Sequence, residues 1–63
     1  MLPYQERVVE EYSALSEKAT TLYSFLATKF YEKLEPEDQH LLRMQYYSMM
    51  VYVGILEKRI ARF

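Results

Sequence analysis

The chain has no cysteine, one histidine, one glycine and two prolines in 63 residues. Without cysteine there is no disulfide framework and no thiolate metal site. His40 alone cannot build the usual histidine-rich metal cluster. No glycine-rich phosphate loop, Ser/His/Asp set or Cys/His set occurs, so the chain is expected to be no enzyme and to carry no cofactor. Charge of one sign is also missing: the formal net charge is −1, with acids and bases scattered, so neither DNA, RNA nor an anionic membrane is an expected partner. The uncharged run after Arg43 ends at Glu57, short of the roughly 20 apolar residues of a membrane span. No basic-then-apolar leader is visible at the start, which makes the cytoplasm the default location.

What is present is helical. Pro3 suits a first helical turn, and neither glycine nor proline follows until Pro36. Val8, Tyr12, Leu15, Ala19, Leu22 and Leu26 recur at alternating spacings of 4 and 3, a heptad seam for a helix packed lengthwise on another. The expectation is one helix over about 3–33, with Glu6, Glu10 and Glu11 early and Lys29 and Lys33 late to match its dipole. The turn falls at about 34–36. Pro36 then opens a second helix to about 62, with Glu37 and Asp38 in its first turn and Lys58, Arg59 and Arg62 in its last. In this helix Leu42, Gln45, Met49, Tyr52, Leu56, Arg59 and Phe63 form the complementary 3-4 seam. A short connection between two long helices makes them antiparallel neighbours. The fold class is therefore all-α: a single-domain antiparallel helical hairpin over 1–63.

Such a chain is too small to be self-sufficient. At this size only about 60% of the unfolded surface is buried. The Arg43–Ile60 stretch is apolar or aromatic on nearly every side, and a helix greasy all round must be covered all round. Met44, Tyr47, Met50, Val51 and Val53 are the surplus expected to bury between protomers, which points to a homo-oligomeric bundle with closed symmetry.

Several polar and aromatic residues remain as candidates for binding. A hairpin sets Tyr4, Arg7 and Glu11 beside Arg59, Arg62 and Phe63 at its open end. Lys18 lies next to the apolar seam, where it either snorkels or meets a phosphate as a point charge, with Thr20 and Thr21 as nearby hydroxyl donors. Gln45 in a seam fixes register, whereas Arg59 at the open end offers a bidentate fork to an anion. Tyr4 serves either as a staple between protomers or as a lid on a nucleobase; seven tyrosines supply rings for either use.

The string Tyr4-x-x-Arg7-Val8-x-x-Glu11-x-x-x-Leu15-x-x-Lys18-x-x-x-Leu22-x-x-Phe25, followed by Leu42-x-x-Gln45-x-x-x-Met49-x-x-Tyr52-x-x-x-Leu56-x-x-Arg59-Ile60, resembles the hairpin domain of phage anti-CBASS and anti-Thoeris sponges. The resemblance covers nearly the whole chain. It implies a compact homo-oligomer, commonly a hexamer, that sequesters cyclic dinucleotide or trinucleotide signals of bacterial immunity in the host cytoplasm during infection. It also implies that Tyr4 stacks on a base, that Lys18 contacts phosphate and that Arg59 serves larger cyclic ligands. The alternative from another class is a hairpin that scaffolds a phage or bacterial complex.

Overall fold

The computed structural model describes residues 1–63. It contains α1 (Pro3–Leu26), a single-turn α2 (Lys29–Glu32) and α3 (Pro36–Ala61), and no strand. α1 and α3 pack antiparallel into a rod of 46 × 14 × 14 Å. No helix is long and apolar enough to cross a membrane.

Each long helix starts on a proline at a position whose N–H would have no intrahelical partner. At the start of α1 the Gln5 side-chain oxygen accepts from the Leu2 backbone N–H at 2.9 Å. At the start of α3 Glu37 and Asp38 place negative charge on the positive end of the dipole, and Lys58 and Arg59 do the reverse in its last turn.

The expected unbroken helix over 3–33 is not formed, and the chain breaks at Ala27 and Thr28. Thr28 adopts an extended backbone (φ −95°, ψ 161°). Its hydroxyl donates to the Phe25 carbonyl at 2.7 Å and accepts from the Tyr31 N–H at 3.3 Å, so one side chain ends α1 and caps α2. Lys29 and Lys33 consequently lie outside the last turn of α1, which holds no base. The break turns Tyr31 inward. Its ring is buried, edge-on to Phe25 at 6.3 Å. Its hydroxyl donates to the Gln39 carbonyl at 3.0 Å and accepts from Arg43 at 2.6 Å. The Gln39 amide in turn donates to the carbonyls of Tyr31, Glu32 and Leu34 at 3.0–3.1 Å, satisfying groups that the end of α2 leaves open. On an unbroken helix Tyr31 would lie about 140° around from Leu26, off the seam that faces α3.

The α1 seam is the expected one, with Val8 and Ala19 buried and Tyr12, Leu15, Leu22 and Leu26 half-buried. The α3 seam keeps Leu42, Met49 and Leu56 of the expected frame but moves on by one residue at each alternate position. Leu42, Tyr46, Met49, Val53, Leu56 and Ile60 face α1, whereas Gln45, Tyr52 and Arg59 are exposed. Both frames have the same 3-4 spacing, so periodicity cannot choose between them. Desolvation does: the expected frame buries an amide and a guanidinium, and the observed one buries hydrocarbon and a tyrosine ring. Val53, at 7% exposure, therefore belongs to the hairpin's own core, which corrects the expectation that it is surplus for burial between protomers.

Gly54 lies in the middle of α3, half-buried, and a Cβ built there meets nothing within 4 Å. Glycine in a helix interior costs about 1 kcal/mol relative to alanine. Gly54→Ala is expected to raise the melting temperature by roughly 4–8 °C, followed by circular dichroism. A lower melting temperature would show that a neighbouring copy packs against this position.

Candidate functional site

The open end of the rod brings the two termini together. The Tyr4 ring meets Phe63 edge-to-face at 5.9 Å and 77°, leaving both rings about half exposed. Arg7 is exposed one turn further along α1. The Tyr52 hydroxyl of α3 donates to the Glu11 carboxylate of α1. That bond holds the Tyr52 phenol above the ordinary tyrosine range, with smaller contributions from desolvation and the Glu11 charge, while the Arg59 charge pulls the other way. Arg59 thus stands within electrostatic reach of the Glu11–Tyr52 pair.

A second tyrosine–glutamate pair crosses the seam in the opposite sense. The Tyr12 hydroxyl of α1 donates to Glu57 of α3 at 2.9 Å, and this bond and the Glu57 charge hold the Tyr12 phenol above its ordinary range. The two pairs tie the helices reciprocally. Their partners are fixed only by the antiparallel register, which no local pattern in the sequence carries. Both phenols stay protonated longer in the folded chain than in the unfolded one. Their contribution is therefore fully present below about pH 10 and is lost as pH rises through the raised folded values. Thermal melts between neutral and strongly alkaline pH are expected to fall from about pH 10 upward. The Tyr12→Phe and Tyr52→Phe double variant should show a shallower fall; an equally steep one would remove these pairs as its cause.

Two grooves run along the sides of the rod. The larger, about 610 Å³, is a shallow trough on α1 floored by Ala14, Leu22 and Phe25 and edged by Glu17, Lys18 and Thr21. Lys18, exposed, thus shares this trough with apolar and aromatic side chains and with Glu17. The smaller, about 300 Å³, lies between α1 and α3 and is bounded by Tyr12, Tyr23, Tyr46, Met50 and Glu57, with Thr20 on its edge. Tyr23 and Tyr46 approach to 5.5 Å across this groove. The Ser16 hydroxyl lies buried beneath it with no hydrogen-bond partner.

The sequence-predicted residues thus fall into separate places. Tyr4 and Arg7 gather at the open end and Arg59 borders it, whereas Lys18 and Thr20 lie in different grooves further along. Tyr4 and Lys18 are fourteen residues apart on one helix, a rise of about 21 Å, so they do not converge on one small ligand within a single chain. The threonines are not free donors. The Thr20 hydroxyl donates to the Ser16 carbonyl and that of Thr21 to the Glu17 carbonyl, both at 3.0 Å, leaving only lone pairs to offer. No group of three or more His, Asp or Glu side chains is placed to hold a metal ion.

No solved structure matches this chain. A protein of Enterobacteria phage T4, described as an uncharacterized 7.5 kDa protein in the denB-rIIB intergenic region, is 44% identical over 63 residues, spanning 100% of this chain and 98% of its own. Residues 2–62 match the family described as Sequestin. A match over essentially the whole hairpin, both helices and the turn included, makes this chain a member of the Sequestin family.

Proposed function

We propose that this chain is a non-enzymatic sponge that binds and sequesters cyclic di- or trinucleotide second messengers of bacterial anti-phage signalling, acting as a homo-oligomer in the infected host's cytoplasm. The family's name speaks of sequestration, and a phage encodes a relative of nearly the same length. The observation that carries the reading is the α1 trough, where the Lys18 cation stands beside Leu22 and Phe25. A cyclic nucleotide has flat bases and anionic phosphates in one compact body, and an apolar floor with a cation on its rim meets both.

The trough has one wall only. A ligand lying in it becomes enclosed when a second copy closes over it, and that copy is also the source from which a Tyr4 ring can reach a base. Capture is then stoichiometric: potency follows affinity and copy number, with no turnover. Titration calorimetry with a panel of cyclic dinucleotides and trinucleotides should give saturable heat with at least one of them at micromolar protein. Absence of heat with every member of the panel overturns this reading.

A scaffold hairpin is the second reading, favoured by large exposed side chains such as Phe30, at 74% exposure, which lie away from both grooves. It predicts that Tyr4→Ala and Lys18→Ala alter stability alone, and that small ligands fail to displace a protein partner in a pull-down.

A further inference from the structure

The face of α3 turned away from α1 carries a second heptad seam. Leu41, Met44, Ser48, Val51 and Ile55 repeat at spacings of 3 and 4 and are all exposed, Val51 at 65%. At 3.6 residues per turn this stripe lies about 145° around the helix from the seam that faces α1. The isolated chain exposes 5051 Å². A compact monomer of 7.6 kDa exposes about 4,300 Å². Part of that excess belongs to the elongated 46 Å rod; a standard protein interface takes roughly 800 Å² from each partner.

We propose that this outer stripe of α3 is a two-fold interface with a second copy of the same chain, antiparallel and centred on Ser48. It rests on the oligomeric part of the proposed function, is a contact separate from the one that would close over the α1 trough, and requires no ligand. The partner's identity follows from the order of side chains along the stripe. With Ser48 on the axis, Leu41 faces Ile55 of the second copy and Met44 faces Val51 and Tyr52. Glu37, in the first turn of α3, meets Arg59 and Arg62 from the last. The stripe is thus self-complementary in shape and in charge, as an isologous contact requires. A parallel arrangement in register would set Glu37 against Glu37 and arginines against arginines. It would also align the two helix dipoles, whereas the antiparallel one opposes them. Ser48 is small, and at the axis it lets the two backbones approach.

The chain has no cysteine, so Ser48→Cys introduces a single thiol. On a two-fold axis the two thiols fall within disulfide reach, and mild oxidation at tens of micromolar protein should convert most of the variant to covalent dimer. Ser13→Cys, exposed on α1, is the control and should remain largely uncrosslinked. Equal crosslinking of the two variants overturns the proposal, as does a monomer by light scattering for the unmodified chain. Glu37→Arg should weaken association at least tenfold in sedimentation, with helicity checked by circular dichroism. Adding Arg59→Glu and Arg62→Glu should restore it, and failure to do so overturns the register. Calorimetry reads ligand capture separately: assembly through this stripe with no ligand bound would leave the interface standing and remove the sponge.

Discussion

Leu56→Ala is expected to unfold the hairpin or leave it only partly helical at ambient temperature. Leu56 is the one side chain with 0% exposure, and only five of 63 residues are buried at all. Truncating a buried leucine costs about 2–5 kcal/mol, the lost transfer energy plus the cavity left behind. A core in a chain this small rarely supplies more than about 3–5 kcal/mol, so the loss is comparable with the whole. The far-ultraviolet circular dichroism signal should fall, and thermal melts should lose their cooperative transition. Phe30→Ala supplies the contrast. It removes a larger side chain, but from a position 74% exposed, and should change stability by no more than about 0.5 kcal/mol. Similar losses for the two variants would mean that α1 and α3 do not meet along the Leu42–Ile60 seam.

Lys18→Ala is expected to weaken cyclic-nucleotide capture by roughly 10- to 100-fold while leaving helicity intact. A hydrogen bond to a charged group contributes about 1.5–3 kcal/mol, which sets that range. Lys18 is exposed on the rim of the α1 trough, so its removal empties no core position. Lys18→Arg keeps the charge but not the compact ammonium, and should retain part of the affinity. Calorimetry with the cyclic nucleotide that binds the unmodified chain decides the matter. Unchanged affinity in Lys18→Ala would remove the trough as the phosphate site. A lowered melting temperature with unchanged affinity would identify Lys18 as a stem covering apolar surface.

The α1 seam, the restart at Pro36 and the meeting of Tyr4 with Phe63 are legible in the sequence, because each rests on local spacing or on one proline. The rest of the site is not. Lys18 and Thr20 are two residues apart, yet a helical step of about 200° sends them to different grooves. The Thr20 and Thr21 hydroxyls have backbone carbonyls of their own helix within reach, a local alternative that removes them as donors. A threonine just after the end of the α1 seam is an ordinary helix-start residue, and Thr28 offers that signal for the break.

By itself the order of residues determined that this is a pair of long helices with an apolar surplus, since 3-4 spacing and a lone turn proline act over a few residues at a time. It did not decide which side of α3 turns inward. Where nearly every side is apolar, several frames satisfy the same periodicity, and only packing against α1 discriminates among them. The tertiary structure made that choice by leaving Gln45 and Arg59 in water, by swinging Tyr31 under Gln39 and Arg43, and by crossing Tyr12 with Glu57 and Tyr52 with Glu11. The two tyrosine–glutamate contacts join residues 45 and 41 positions apart, and their energy exists only once the register of the two helices is set.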